Sequence, residues 1–520
     1  MSKKLVRSGL IVSVMTLISR VLGLIRDVVV ANLMGAGVSA DVFFFANKIP
    51  NFLRRLFAEG AFAQAFVPVL TEYQETKSSD EVRQLLSKVA GTLGILVSVV
   101  TMVGVLASPV LTALFGAGWF VAWVNHEPDG AKFELASLML KITFPYLWFI
   151  TFTALSGSIL NTRGRFAISA FTPVFLNVAI IAAAIWLSPR LERPEIGLAW
   201  GVFAGGIIQF LFQIPFLLRE HALVKPTWGW HDPGVVKIRK LMLPALFGVS
   251  VSQINLLLDT FIASFLMTGS ISWLYYSDRL LEFPLGLFGI AIATVILPTL
   301  SRKHVNAEST EFGQTMDWGV RAVILLGAPA MAGLIVLAKP MLMVLFMRGA
   351  FDIQDVNMAS SSLIAYGSGL LSFMLIKVLA PGYYARQDTK TPVKIGIIAM
   401  LSNMVFNIIL AFPFSYVGLA IATSMSALLN AGMLYRGLHL AGVYRVSSNT
   451  LIFLLKVLLA VTTMVLVLVW LSPAMSDWLH WSIHQRIWHL LRLILAGVAV
   501  YLLIILLLGG RPWRKPLRKG

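Results

Sequence analysis

Two arginines stand inside a segment that is otherwise apolar enough to cross a membrane. Arg20 and Arg26 lie in the run 9–33, and Arg20 is about 17 Å from the start of that run at ~1.5 Å per helical residue. An arginine at mid-membrane costs at least ~2.5–3.5 kcal/mol, so it requires a partner or an aqueous cavity. Because guanidinium groups bind phosphate through paired N–H···O bonds, we predict that both bind an anion. The alternatives are a structural ion pair or snorkelling for Arg20 and, for Arg26, a reach to the outer interface or a pair with Asp27.

Polar residues in this run share one helical face. Steps of three and four residues place a set of them on one stripe, with Ser19 and Arg26 at its edge. The stripe consists of Ser13, Thr16, Arg20, Gly23 and Asp27. A polar stripe on a membrane helix faces protein or a water-filled cavity rather than lipid. The sequence therefore places the arginines beside a candidate cavity.

Two further apolar runs are interrupted by proline, glycine and charge. The run 37–70 contains Asp41, Lys48, Pro50, Asn51, Arg54, Arg55, Glu59 and Gly60, and the run 271–300 contains Asp278, Arg279, Glu282, Pro284 and Gly286. Proline frees a backbone carbonyl, which a membrane helix tolerates where it lines a cavity. Broken helices at corresponding places in two repeats indicate a transport site. Since Arg54 and Arg55 are adjacent, we expect only one of them to face the cavity.

A second group of polar residues lies in the later half of the chain. The oxygen-bearing members are Asp259, Asn403, Asn407 and Thr423. Hard cations take oxygen ligands, so one interpretation is a sodium site. The other, which we favour, is an interhelical hydrogen-bond cluster. Lys377 either binds substrate or pairs with Asp278 or Asp259, and for Lys377 we favour the pair.

The composition is that of a membrane protein. The chain has 520 residues, 58% hydrophobic and 13% charged, whereas soluble domains are nearer half apolar and a quarter charged. Its apolar runs are long enough to cross a ~30 Å hydrocarbon core as helices and too continuous for barrel strands. No loop exceeds ~20–25 residues, so no separate extramembrane domain is expected. The absence of cysteine excludes disulfides and thiolate chemistry.

We predict an all-α polytopic membrane protein with about fourteen transmembrane helices. The predicted spans are 9–33, 37–70, 89–113, 133–159, 168–188, 196–218, 241–267, 271–300, 317–346, 356–382, 393–413, 416–436, 450–472 and 487–509. Lysine and arginine concentrate in both tails and in the loops on their side, so both termini are predicted to be cytoplasmic. The net charge of +18 is explained by this topology, and nucleic acid is not an expected partner.

The two halves of the chain resemble each other. Thr172-Pro173-Val174 recurs as Thr391-Pro392-Val393, Gly197-Leu198-Ala199 recurs as Gly418-Leu419-Ala420, and Asp27 and Pro68 match Asp259 and Pro298. Six spans per copy give both copies one orientation, the plan of parallel-repeat transporters. The predicted domains are an N-terminal six-helix lobe (1–222), a C-terminal six-helix lobe (233–442), two additional helices (449–510) and a basic cytoplasmic tail (511–520).

The repeat also shows that the positive charge is specific to the first lobe. In register, Asp27 falls on Asp259, whereas Arg20 falls on Ser252 and Arg26 on Leu258. The arginines are therefore not a requirement of the fold. Several arginines around one cavity indicate a ligand with more than one phosphate charge, whereas a cation exporter would need buried carboxylates.

Several motifs resemble those of one known family. They are Ser19-Arg20-Val21-Leu22-Gly23, the run Pro50 to Phe62 with Arg54-Arg55-Leu56-Phe57-Ala58-Glu59-Gly60, Asp278-Arg279-Leu280 with Glu282-Phe283-Pro284, and Lys390-Thr391-Pro392-Val393-Lys394. On these residues the chain resembles the MurJ (MviN) lipid II flippases of the multidrug/oligosaccharidyl-lipid/polysaccharide exporter superfamily. The likeness covers essentially the whole chain, and the run through Arg54 is highly specific.

The resemblance implies two six-helix lobes, two extra helices and alternating access. It implies a substrate, undecaprenyl-diphosphate carrying a disaccharide-pentapeptide (lipid II), moved outward across the bacterial cytoplasmic (inner) membrane for peptidoglycan and cell-wall synthesis. The family's diphosphate-binding arginines match Arg20, Arg26, Arg54 and Arg279, and its polar cavity positions match Asp41 and Glu282. We add Ser19 and Asn51 to the predicted substrate site, and Asp27, Asp278 and Lys377 as supporting ion-pair residues.

The resemblance also bears on the remaining partners. The family's last two helices form a groove for the lipid tail, which the apolar spans thirteen and fourteen suit. Some members carry a sodium site in the second lobe, and this chain has Asn407 where a second carboxylate would strengthen it. No cofactor is expected, sodium coupling being the one candidate. We expect a monomer among membrane lipids, near cell-wall synthesis enzymes.

The sequence fits three other kinds of function less well. A polysaccharide flippase or a cation-coupled drug exporter would share the fold, but the arginine-rich first lobe argues against cationic drugs. A membrane-embedded enzyme is disfavoured because no Asp-x-Asp loop and no histidine cluster is present. A pore or scaffold is disfavoured by the two-lobe repeat with broken helices.

Overall fold

A computed structural model describes residues 3–56, 62–289, 292, 296–297, 299–301 and 309–509, with side chains left undescribed at 3–13, 247–252 and 309. Within these ranges the chain is nearly all helical and contains no strand, so the predicted all-α class is confirmed. Glu59, Gly60, Pro298 (the repeat partner of Pro68) and the tail 511–520 lie outside the described residues. So do the side chains of Ser13 and Ser252.

The helices follow one another with short connections. The first thirteen are α1 (Lys3–Met34), α2 (Val38–Leu53), α3 (Phe62–Thr76), α4 (Ser79–Leu106), α5 (Ser108–Phe115), α6 (Ala117–Val124), α7 (Ala131–Thr143), α8 (Tyr146–Thr162), α9 (Phe166–Phe171), α10 (Pro173–Ala182), α11 (Pro194–Arg219), α12 (Pro233–Ala263) and α13 (Ser270–Pro284). The others are α14 (Ser309–Val336), α15 (Ala338–Leu345), α16 (Ile353–Gly367), α17 (Leu370–Tyr384), α18 (Lys390–Leu440), α19 (Ser448–Leu471), α20 (Met475–His480) and α21 (Ile483–Leu507).

Nine helical stretches among the described residues are long and apolar enough to cross a membrane. The longest, α18, is broken at Ser415 (φ 52°, ψ −136°), so it covers two predicted spans, 393–413 and 416–436. Helix α4 begins at Ser79, before the start of the predicted span 89–113. A capping box explains the early start: Ser78 accepts from the Glu81 amide, and Glu81 accepts from the Ser78 amide. The total of fourteen spans stays a prediction.

The chain divides into two compact units, Met1–Ser272 and Trp273–Gly520. The internal repeat assigns α12 to the second lobe, but its contacts place it in the first unit, where it packs against α3. In the same unit α1 packs against α9 and α10, and α11 packs against α8 and α10. The predicted lobe boundaries stay a prediction.

A connecting segment fastens the start of α12 to α4. The amide of Thr227 donates to the Ser87 carbonyl (3.0 Å), and the amide of Gly229 donates to the Thr92 hydroxyl (3.0 Å). A Cβ on Gly91 would lie 2.0 Å from the Thr227 carbonyl oxygen, so only glycine permits this approach. Beside it, α3, α4, α8, α11 and α12 share one buried apolar core.

In the second unit, a buried carboxylate joins α14 to the start of α19. Asp317 of α14 accepts hydrogen bonds from Arg321 (2.8 Å), Ser447 (3.1 Å) and Thr450 (2.7 Å) through one oxygen. Its other oxygen accepts from the hydroxyl of Tyr444 (3.1 Å). Further along, α19 packs against α21, and both pack against α14. The two helices beyond the repeat are thus anchored at a fully bonded polar cluster.

We predict that Gly91→Ala lowers the stability of the protein. The new methyl would overlap the backbone at Thr227, so the connecting segment or α4 must shift, at a cost of about 1–3 kcal/mol. Thermal unfolding of the purified protein in detergent would measure this. The matched control is Gly333→Ala in α14, where a Cβ meets nothing within 4 Å. Equal melting temperatures for the two variants would contradict the prediction.

We predict that the contribution of Tyr444 to stability depends on pH. Burial, and then the Asp317 carboxylate, raises the pKa of the Tyr444 hydroxyl, so the folded protein holds it as a neutral donor. Tyr444→Phe should cost about 1 kcal/mol at neutral pH. The difference should be lost as pH rises above ~10, where the unfolded chain ionises but the folded one resists ionisation.

The measurement is thermal unfolding of wild type and Tyr444→Phe at neutral pH and above pH ~10, the ordinary tyrosine pKa. Tyr435→Phe serves as the control, because in the described part of the chain its hydroxyl makes no hydrogen bond. A difference that stays constant across this pH range would show that ionisation of Tyr444 is not linked to folding.

Candidate functional site

Arg20 lies in the middle of α1 and is exposed. In the part of the chain that the structure describes, its guanidinium makes no hydrogen bond or ion pair. Two of its helix neighbours, Val21 and Leu17, are apolar and also exposed, by 45% and 58%. A charge on so apolar a helix needs an anionic partner or water. Arg20 is therefore available to an anionic ligand.

Arg26, two turns further on, is held by protein groups. Its Nε and Nη2 donate to one carboxylate oxygen of Asp27 at 2.9 and 2.6 Å. Its Nη1 donates to the side-chain oxygen of Asn177 in α10 at 3.1 Å. The Asn177 amide nitrogen donates in turn to the backbone carbonyl of Ser19 at 3.2 Å. The pairing with Asp27, one of the two alternatives for Arg26, is thus present in this structure.

The end of α2 carries the second pair of arginines. Pro50 lies inside the helix, and residues 54–56 continue it as a wider π-helical turn. Arg54 is partly buried and donates from Nε to the Asn51 side chain (3.2 Å). Arg55 is exposed and reaches Gln253 of α12 at 3.5 Å. The adjacent arginines therefore point differently, as their spacing predicted.

Asp41 does not face open space in this structure. It is 2% exposed, and its carboxylate accepts from the backbone amides of Gly269 (2.7 Å) and Ser272 (2.9 Å) and from the Ser272 hydroxyl (2.6 Å). These bonds hold the connection between α12 and α13. The predicted cavity-facing role of Asp41 is not the one seen here, because its oxygens are already satisfied by first-unit donors.

In the second unit, the guanidinium of Arg279 is bonded by two side chains of its own helix. Arg279 of α13 donates from Nε and Nη2 to the hydroxyl of Tyr275 (3.2 and 3.0 Å), and it forms an ion pair with Glu282 (3.1 Å). Glu282 is exposed, and Arg279 is partly exposed. After Pro284 the helix widens into a π-helical turn, Leu285–Gly289. The predicted interruption of this span is thus a local change of helical winding.

The favoured ion pair of Lys377, with Asp278 or Asp259, is not formed among the described residues. Lys377 of α17 is exposed, and no hydrogen bond or ion pair of its ammonium occurs among the residues described. Its side chain instead runs beside Gly289, where a Cβ would lie 3.9 Å from the Lys377 Cγ. Asp278 is partly buried.

The candidate sodium ligands of the second unit form a hydrogen-bonded pair. Asn407 donates to the Asn403 oxygen at 3.0 Å, and both are buried. The Thr423 hydroxyl donates to the Leu419 carbonyl of its own helix (2.9 Å). Asp259 belongs to the first unit. The described residues hold no group of three or more His, Cys, Asp or Glu able to bind a metal.

Two supporting residues were missed by the sequence reasoning. Asn177 and Tyr275 are neutral, and neither stands out in an apolar run as an arginine does. The signal for Tyr275 was its place one helical turn before Arg279. For Asn177, 151 residues from Arg26, only the packing of α10 on α1 reveals the contact. Each of these residues bonds an arginine side chain, and guanidinium groups are donors of the kind that bind phosphate.

Comparison with known proteins gives a consistent result. Residues 30–489 match the family model "Lipid II flippase MurJ". The chain is 69% identical over 510 residues to the probable lipid II flippase MurJ of Vibrio cholerae, covering 98% of this chain and 97% of that protein. It is 63% identical over 503 residues to that of Haemophilus influenzae, covering 96% and 98%.

Solved structures agree with these relatives. A lipid II flippase MurJ in an inward closed conformation has a TM-score of 0.80 and 30% identity, covering 95% of this chain and 98% of that one. An inward-facing MATE family multidrug resistance transporter has a TM-score of 0.67 at 13% identity, covering 82% and 95%, which shows a shared fold alone. With the helical architecture and the arginines described above, the model match and the high identities establish that this chain belongs to the MurJ lipid II flippase family.

Proposed function

We propose that this protein moves lipid II from the cytoplasmic to the periplasmic leaflet by alternating access, as a transporter rather than an enzyme. The observation that carries the proposal is Arg20, an exposed guanidinium without a protein partner among the described residues, on an apolar helix of a MurJ family member. A diphosphate supplies the multiple negative charge that such a group requires.

The other guanidinium groups support the same ligand. Arg26 and Arg279 are each oriented by a neutral side chain, Asn177 and Tyr275 respectively. Orientation of this kind favours recognition of phosphate over simple charge attraction. A cationic drug, the cargo that the MATE fold could suggest, would be repelled by these groups.

The lipid tail has an apolar surface available to it. The outer faces of α19 and α21 expose large aliphatic side chains, among them Leu455 (67%), Leu466 (66%) and Leu495 (67%). A hydrocarbon chain loses nothing by lying against such a surface within the bilayer. We infer that the polyprenyl tail stays in lipid along these helices while the headgroup crosses.

Location and coupling follow from this proposal. The protein is a multi-pass membrane protein, and we place it in the bacterial inner membrane with both termini cytoplasmic, on the charge bias of its loops. It acts as a monomer in this proposal. Sodium coupling through the second unit stays a prediction, and the bond between Asn407 and Asn403 is of the kind that the favoured alternative, a hydrogen-bond cluster, requires.

We predict that Arg20→Ala abolishes function without unfolding the protein. Its side chain bonds to no described group, so truncation removes a ligand contact and leaves the packing intact. The test is complementation of a strain depleted of its own lipid II flippase, scored by growth and by externally accessible lipid II. Wild type should rescue both, and Arg20→Ala neither, at equal membrane levels.

The matched control is Arg83→Ala. Arg83 is also an exposed arginine of the first unit with no described contact, but it lies near the polar start of α4, so this variant should rescue fully. Rescue by Arg20→Ala would remove that residue from the site. Failure of the wild-type chain to rescue, despite insertion, would move the function to another anionic lipid.

A further inference from the structure

We propose that Asn177 is a positioning residue of the anion site, whose amide sets the orientation of Arg26 against α1 for a diphosphate. The proposal rests on the function proposed above and names a residue that acts through Arg26 rather than on the substrate itself. It is drawn from the hydrogen bond that Asn177, a residue of α10, accepts from the Arg26 guanidinium of α1.

The geometry gives Asn177 two bonds that require opposite chemistry. Its oxygen accepts from Nη1 of Arg26 at 3.1 Å, and its nitrogen donates to the Ser19 carbonyl at 3.2 Å. Ser19 precedes Arg20 in the chain, so one amide joins the backbone at one arginine to the head group of the other. Asn177 is 6% exposed, and a buried amide in a fixed place can hold both in one arrangement.

Asn177 reaches α1 beside Gly23, which lies between Ser19 and Arg26. A Cβ at Gly23 would lie 3.8 Å from the Asn177 nitrogen, an ordinary van der Waals distance. α10 packs against α1, which is how a residue 151 positions away in the chain reaches Arg26.

The internal repeat supplies an independent argument. In the register that aligns Thr172-Pro173-Val174 with Thr391-Pro392-Val393, Asn177 falls on Gly396. A Cβ at Gly396 would meet nothing within 4 Å, so no steric need keeps a side chain out of that position. Arg26 falls on Leu258 in its own register. The amide and the arginine are thus present together in one copy and absent together from the other.

An amide suits this task better than a carboxylate. Asp27 already gives Arg26 one negative neighbour, and a second would cancel the field that attracts a phosphate. A neutral acceptor fixes the plane of the guanidinium and leaves its charge. Asn177 therefore orients the Arg26 guanidinium, whereas Asp27 compensates its charge.

The test is a double-mutant cycle on the purified full-length protein, with undecaprenyl diphosphate as the probe and undecaprenyl monophosphate as its comparison. The measured quantity is the dissociation constant for wild type, Arg26→Ala, Asn177→Leu and the double variant. Asn177→Leu should weaken diphosphate binding about three- to tenfold and monophosphate binding less, since a misoriented guanidinium loses its paired contact first. In the double variant the loss should equal that of Arg26→Ala alone.

The matched control is Gln213→Leu. Gln213 of α11 is also a buried amide of the first unit, bonded to the Thr172 hydroxyl (2.9 Å), so its loss should leave the dissociation constant unchanged. Asn177→Ser, which cannot span both partners, replaces Asn177→Leu if thermal unfolding shows that the leucine variant does not fold. It should weaken binding in the same way.

Each outcome separates the two proposals. If wild type binds the diphosphate and Arg26→Ala weakens it, but Asn177→Leu does not or its effect multiplies with that of Arg26→Ala, the positioning role is wrong and the proposed function stands. If wild type does not bind undecaprenyl diphosphate, the proposed function fails and the positioning role fails with it. If the double variant binds the diphosphate as weakly as Arg26→Ala alone, the positioning role of Asn177 is established.

Discussion

The free energy of a guanidinium inside hydrocarbon is the constraint on which the rest of this molecule depends. Each such group costs at least ~2.5–3.5 kcal/mol at mid-membrane unless it finds a partner or water. Helix α1 carries two guanidinium groups in different environments. The charge of Arg26 is compensated by Asp27, whereas Arg20 is exposed and has no partner in the described part of the chain. The charge of Arg26 is thus stabilised by the protein itself, whereas Arg20 keeps its attraction for an anion, as the proposed function requires.

Neutral polar side chains hydrogen-bond two of the arginines. Asn177 and Tyr275 each bond a guanidinium without changing its charge. The buried carboxylates are treated in the opposite way, because Asp41 and Asp317 are saturated by amide, hydroxyl and guanidinium donors and hold helices and loops together. Asp41 and Asp317 thus serve the architecture, whereas Arg20 bonds to no described group.

Much of this could be predicted from the sequence, and the remainder depends on packing. Apolar runs of membrane length fix the helical class, and arginines in such runs are conspicuous, so Arg20, Arg26 and Arg279 are found without a structure. Helix ends are harder, since the capping box at Ser78 and Glu81 extends α4 beyond its apolar run. The bond between Arg26 and Asn177 could not be read from the chain, because it requires knowing that α10 lies on α1. The ion pair expected for Lys377 is not formed among the described residues, because opposite charges in a sequence predict attraction but do not show whether the two side chains lie close enough to meet.

The contact between α4 and the segment before α12 has a consequence for how the protein is made. The first unit's apolar core draws on α3 and α4 but also on Val235 and Ile238 of α12, and the amides of Thr227 and Gly229 complete the surface of α4. During synthesis the early helices enter the membrane long before these residues leave the ribosome. Until then the apolar core lacks Val235 and Ile238, and the Thr92 hydroxyl lacks the Gly229 amide as its donor. The unit is finished by its last helix, so truncation before residue 238 would leave a set of inserted helices with no closed core.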